Sequence, residues 1–127
     1  MKFFMADSME EQPQILIVCT DMIFSTKITG TAKALQKPFG VARSMERFGA
    51  LLGLAAPAPL VIVDMSVTVL DPVAVIRAAK AHAGARVVAF LSHVEVQMAE
   101  AAREAGADEV MARSAFSARL PEIIGRS

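Results

Sequence analysis

This chain is short of the features that announce many functions. It holds one cysteine, Cys19, so no disulfide can close within it, and a reducing cytoplasm is the expected compartment. It has no net charge, because thirteen Lys and Arg offset thirteen Asp and Glu. That leaves no overall field to hold nucleic acid or an anionic membrane surface. No apolar run is long enough to span a bilayer. No glycine-rich loop follows the first apolar segment, which argues against a dinucleotide or P-loop site. There is no serine elbow and no paired histidine and cysteine for nucleophilic catalysis. Internal repeats and low-complexity tracts are also missing.

What is present is apolar. Of the 127 residues, 54% are hydrophobic and 20% charged, which suits one domain able to bury its own core. Met1-Lys2-Phe3-Phe4-Met5 opens like a secretory signal, but Asp7, Glu10 and Glu11 interrupt it. Residues 1–13 read as a flexible N-terminal leader and 14–127 as the folded domain. The organising stretch is Leu60-Val61-Ile62-Val63-Asp64, four apolar residues ending in a carboxylate. Such a run suits a strand buried on both faces of a parallel sheet. Asp64 would then stand at the carboxyl end, where such sheets form their ligand crevice. The plainer role for Asp64 is to cap its own turn.

The rest of the chain alternates strand and helix. Ile15-Leu16-Ile17-Val18 reads as the first strand, followed by Cys19-Thr20-Asp21 and a helix from Ser25 to Gln36. Phe39 to Ala42 is a second strand. Ser44 caps a helix carrying Met45, Phe48, Leu51 and Leu52, ended by Gly53. After Asp64, Asp71-Pro72 pairs a capping carboxylate with proline at the first helical position. That helix runs to about Ala83. Arg86 to Ser92 is a fourth strand, Glu95 to Ala105 a helix, Asp108 to Ala112 a fifth strand and Ser117 to Ile124 the last helix. Five β-α steps with short connections imply a parallel sheet covered by helices through right-handed crossovers.

From Ile15 to about Gly125 the chain resembles the receiver domain of bacterial two-component response regulators, the CheY-like group. The residues that carry the resemblance end strands one, three, four and five, together with Ala105-Gly106-Ala107-Asp108 before strand five. The resemblance implies a flavodoxin-like, doubly wound α/β fold: five parallel strands in the order 2-1-3-4-5 and five helices, two on one face and three on the other. It places Asp64 at the phosphoacceptor position and Ser92 at the hydroxyl position that meets the phosphoryl group. It also implies a signalling module rather than an enzyme, with no resident cofactor and no catalytic residue of its own.

The chain departs from the pattern where the metal belongs. Cys19-Thr20 stands in place of the acidic pair that helps bind Mg²⁺, and Asp21 comes one position late. Thiol and hydroxyl are poor ligands for Mg²⁺, which takes oxygen donors in octahedral geometry. Arg113 replaces the lysine, Ser114 the following proline and Val110 the aromatic switch residue. Two like charges about 4 Å apart repel by roughly 4 kcal/mol at an effective dielectric of about 20. Losing metal stabilisation of that size slows transfer about a thousandfold. A degenerate pseudo-receiver without bound metal is therefore expected. Its pocket residues would be Cys19, Thr20, Asp21, Asp64, Ser92 and Arg113, with Arg113 in direct contact with Asp64 and Ser92 close by.

Three functions follow. The first is a stand-alone module that binds a sensor kinase or other signalling protein through the face of helix four, strand five and helix five. Val96, Met98, Met111, Phe116 and Leu120 fall on that face, which would also serve a homodimer. The second is an atypical phosphoacceptor of a phosphorelay using Asp64. The third is a flavodoxin-like binder of a small ligand at the strand ends. His93 reads as a loop histidine and His82 as helix-end electrostatics. A zinc set of Cys19, Asp64 and His93 has no supporting spacing motif.

Overall fold

Four apolar residues in succession leave no polar face, and strand β1 (Ile15–Val18) is accordingly buried along its whole length. The computed structural model describes residues 12–82, 84–92 and 95–127. After β1 come α1 (Met22–Ala34), β2 (Phe39–Val41), α2 (Met45–Leu54), β3 (Leu60–Asp64) and α3 (Pro72–Ala81). Then follow β4 (Arg86–Leu91), α4 (Val96–Ala105), β5 (Glu109–Ala112), α5 (Arg113–Ala118) and α6 (Leu120–Gly125). The five strands are all parallel in the order β2-β1-β3-β4-β5, as the alternation and the resemblance together imply. The leader lies outside the described residues up to position 11. Pro13, its last residue, is buried and accepts the Ala56 N–H at 3.0 Å.

Successive residues of a strand point to opposite faces, and this divides the core in two. Leu16, Val18, Val61, Val63, Val87 and Ala89 meet α2, α3 and α4 on one face. Ile15, Ile17, Leu60, Ile62, Val88 and Phe90 meet α1, α5 and α6 on the other. Burying each large aliphatic or aromatic side chain is worth about 1.5–3 kcal/mol, so the sheet is held chiefly by these two layers.

The helix starts follow local chemistry. Asp71 accepts the N–H groups of Val73 and Ala74 at 3.0 and 3.4 Å, and Ser44 accepts that of Arg47 at 3.0 Å. Two expectations need correction. The first helix starts not at Ser25 but at Met22, because Asp21 is the cap and accepts the Phe24 N–H at 3.0 Å. The expected single helix from Ser117 to Ile124 is two helices, which makes six rather than five among the described residues. Pro121 has no N–H for the Ser117 carbonyl, and its ring crowds that turn. The ladder breaks at Arg119 and resumes where Ile123 N–H meets the Arg119 carbonyl at 2.9 Å.

At the opposite end of the sheet from Asp64, Lys80 ties three elements together. Its ammonium donates to the Ala85 carbonyl at 2.7 Å and to Asp108 at 3.0 Å. The same Asp108 carboxylate accepts the Val87 N–H at 2.7 Å, and Asp108 N–H donates back to Val87 at 2.8 Å. Gly106 closes α4 with φ of 115°, and a Cβ there would come within 2.8 Å of the Lys80 chain. Burial opposes ionisation of Asp108, but the Val87 N–H and Lys80 outweigh it and hold the carboxyl below its usual range.

Candidate functional site

The carboxyl ends of β1 and β3 are paired in register from Ile15 with Leu60 to Val18 with Val63. Cys19 and Asp64 follow directly, and the register carries them to neighbouring positions. Asp64 is 4% exposed. Its Oδ1 accepts the Ser66 N–H at 2.9 Å and the Ser66 hydroxyl at 2.8 Å. Its Oδ2 lies 3.7 Å from the Cys19 thiol, which donates to it. Ser92, at the end of β4, reaches Ser66 through a hydroxyl contact of 2.8 Å. The chain Ser92–Ser66–Asp64 is thus continuous, with a shallow cleft of about 270 Å³ beside Ser66 and Ser92.

Among the described residues, every donor to Asp64 is neutral. Burial, and then the negative charge of Asp64, push the Cys19 thiol up from 9.0 to about 11. The thiol therefore stays protonated and shares its hydrogen with the carboxylate instead of competing with it for a cation.

The expected contact between Asp64 and Arg113 is not made. Arg113 opens α5 immediately after β5, and its Nη2 donates to Asp21 at 3.0 Å. The reason lies in what the guanidinium rests on. Its carbon stands 4.3 Å from the ring centre of Phe24, in the first turn of α1, and 6.0 Å from that of Phe90. Phe90 in turn stacks on Phe116 at 4.6 Å and tilts against Phe24 at 5.1 Å. Arginine on an aromatic face gains about 0.5–1 kcal/mol when exposed and more when desolvated. This draws Arg113 toward the α1 side of the crevice. Asp21 waits there as the α1 cap, its carboxyl held low first by the Phe24 N–H and then by Arg113. Arg113 Nε is buried and has no partner among the described residues.

Of the six expected pocket residues, Cys19, Asp64 and Ser92 come together, and Asp21 and Arg113 form a separate pair beside them. Thr20, between Cys19 and Asp21 in the chain, is half-buried. Ser66 and Phe24 complete the arrangement without having been singled out. The Asp64-Met65-Ser66 spacing, an Asx-type turn, was the available signal for the first. His93 lies outside the described residues, and His82 is the residue that closes α3. Among the described residues, no group of three or more His, Cys, Asp or Glu side chains is placed to hold a metal ion.

On the expected partner face, Val96 is 64% exposed, whereas Phe116 and Leu120 belong to the core. Val96, Ala99, Val110 and Met111 line a groove of about 260 Å³ between α4 and β5.

No protein-family model matches the chain, and no curated protein matches it. Solved structures do. The receiver domain of NtrX from Brucella abortus is similar over 88% of this chain and 95% of its own, with a TM-score of 0.74 and 22% identity. The chain has the receiver fold. A CheY-like receiver protein from Methanospirillum hungatei agrees over 91% of this chain and 99% of its own, at a TM-score of 0.69 and 14% identity. A response regulator from Burkholderia pseudomallei, solved with a phosphorylated aspartic acid and a calcium ion, agrees over 88% and 71%, at 0.69 and 16%. No helix among the described residues of this receiver fold is long and apolar enough to cross a membrane.

Proposed function

We propose that this chain is a receiver-like signalling module that acts by binding a partner protein, with a strand-end pocket fixed in one state. The observation that carries the reading is the division of charge at the strand ends. Asp64 is satisfied by a thiol, a hydroxyl and an N–H. Beside it, among the described residues, the Asp21 carboxylate and the Arg113 guanidinium neutralise each other. A Mg²⁺ ion would need several hard oxygen donors around one point. The donors here are one carboxylate already engaged, neutral hydroxyls and a neutral thiol, and they do not fit that ion. Without a cation to screen the acceptor, attack of Asp64 on a phosphoryl donor meets unrelieved like-charge repulsion.

The partner surface is the groove of α4 and β5, where Val96, Val110 and Met111 offer apolar contact. A sensor kinase or another signalling protein is the class of partner that the receiver fold suggests.

One observation favours a second reading, an atypical phosphoacceptor. Ser92 is linked to Asp64 through Ser66, so a hydroxyl stands ready for a phosphoryl oxygen, and the Burkholderia neighbour carries its phosphoryl group on an aspartate. Incubation with acetyl phosphate and Mg²⁺, followed by intact-protein mass measurement, separates the two. The expected result is no phosphoryl adduct. A stoichiometric adduct that is lost in Asp64→Asn overturns the fixed-pocket reading in favour of the second.

A further inference from the structure

The neutrality of the whole chain hides a separation of charge across the sheet. Residues 22–59, which form α1, β2 and α2, hold five basic residues and one acidic, Glu46. Residues 95–112, which form α4 and β5, hold five acidic residues and one basic, Arg103. Strands β2 and β5 are the two edges of the sheet, so the two surpluses stand at opposite edges. Part of each is engaged within the chain. Asp108 and Glu109 pair with Lys80 and Arg86, while Lys27 donates to Ser117 and Lys37 to the Ser127 carbonyl. Arg43 and Arg47 on the one side, and Glu95 and Glu100 on the other, are exposed. None of these four has an oppositely charged partner among the described residues.

The two pairs are placed alike. Arg43 follows β2 and Arg47 stands in the first turn of α2, while Glu95 precedes α4 and Glu100 stands one turn into it. Both sets lie toward the carboxyl ends of the strands, and α2 and α4 cover the same face of the sheet. Each also borders apolar surface. Arg43 and Arg47 line a cleft of about 510 Å³ with Met22 and Val41, and Glu95 and Glu100 line the α4–β5 groove with the exposed Val96. All five strands are parallel. A second copy displaced sideways with little rotation therefore lays its β5 edge beside the β2 edge of the first, with α4 next to α2 and the carboxylates level with the guanidinium groups. A symmetric pairing does the reverse. Closing two α4–β5 faces on each other sets Glu95 and Glu100 against their own copies, and closing two β2 edges sets arginine against arginine.

We infer that the α2–β2 edge of this chain binds the α4–β5 edge of a second copy, head to tail, so that copies add one after another. Arg43 and Arg47 take the Glu95 and Glu100 carboxylates of the neighbouring copy in charged hydrogen bonds, and its Val96 packs toward Met22 and Val41. Ion pairs of this exposed kind are individually weak, so the assembly forms at high concentration and dissolves in salt. The inference rests on the α4–β5 groove being a partner surface, as proposed above, and on nothing at Asp64.

The test is sedimentation of the full chain from about 10 µM to about 1 mM, the range in which weak interfaces assemble. At low salt the mean mass should keep rising past that of a dimer, because a head-to-tail contact leaves a free edge on every assembly. Raising the salt to about 1 M, where the screening length is about 3 Å, should weaken association by about tenfold or more. Joint Arg43→Glu and Arg47→Glu should leave the chain monomeric, as should joint Glu95→Arg and Glu100→Arg. An equal mixture of the two reversed variants should associate again. Thermal melts confirm that each variant is folded. A wild-type chain that stays monomeric overturns the proposal, as does growth that stops at the dimer or that ignores either reversal. Association that begins only when Asp7, Glu10 and Glu11 are replaced by their amides overturns it too, and assigns the basic edge to the leader of the same chain. The acetyl phosphate experiment reads the pocket and not these edges, so the two readings fail separately.

Discussion

Two carboxylates stand a few residues apart in space at the strand ends, and they are held in opposite ways. Asp64 is buried and, among the described residues, receives neutral donors alone. Asp21, with its side chain 41% exposed, receives the arginine. Simple electrostatics would assign the cation to the buried carboxylate, which needs it more. The assignment is reversed because a long side chain goes where its stem and its flat face are accommodated. The floor for Arg113 is the phenylalanine trio of Phe24, Phe90 and Phe116. Oriented dipoles then suffice for Asp64, since two hydrogen bonds from one serine and a thiol proton replace what water would have supplied.

The largest way to break this contrast is to remove the floor. Phe90→Ala deletes the central ring of the trio and should destabilise the domain by about 3–5 kcal/mol in urea unfolding. A loss well below 1 kcal/mol would mean that the trio does not organise this side. Ser66→Ala comes next. It strips Asp64 of its hydroxyl donor and severs the link to Ser92, at a cost of about 1–2 kcal/mol. Because the lost donor is neutral, that cost should hardly change with added salt. Arg113→Ala should cost less, about 0.5–1 kcal/mol from the lost aromatic contact, and its effect should shrink in high salt as the exposed ion pair is screened. Salt responses in the reverse order would invert the comparison.

The smallest effects are in pH. The Asp21 carboxyl is lowered in the folded chain, so its contribution is complete above the ordinary carboxylate range and is lost as pH falls through the folded value. Arg113→Ala should flatten that acid limb. The Cys19 thiol is raised from 9.0 to about 11, so its contribution is complete below pH 9 and is lost as pH rises toward 11. Cys19→Ala should remove the alkaline slope. A thiol that reacts rapidly with a disulfide reagent near neutral pH would contradict its protonated, buried state.

The sheet was legible in the sequence because its strands are apolar runs that only a doubly covered sheet can bury, and Asp64 is the polar residue that ends the third. The start of α3 was legible because Asp71-Pro72 couples a capping acceptor with a fixed φ. The start of α1 was missed because Asp21 and Ser25 are both competent caps, and the choice between them goes with the packing of Phe24, which also fixes where Arg113 lies. That in turn depends on a ring from α1, one from β4 and one from α5 meeting in space. No local pattern records such a meeting. The division of the last helix at Arg119 is intermediate, since Pro121 is visible in the sequence but its tolerance in a first turn hides the break.

The Lys80 tie has a consequence for how the molecule opens. One ammonium joins the end of α3 to the turn before β4 and to the carboxylate that caps the start of β5. Releasing any one of these contacts weakens the other two, so this rim should open as a single cooperative unit. In native-state hydrogen exchange, the amides of Val87 and Asp108 should share one opening free energy although one lies on β4 and the other just before β5. Lys80→Met, which keeps the stem beneath Gly106 but removes the ammonium, should let the two amides exchange independently.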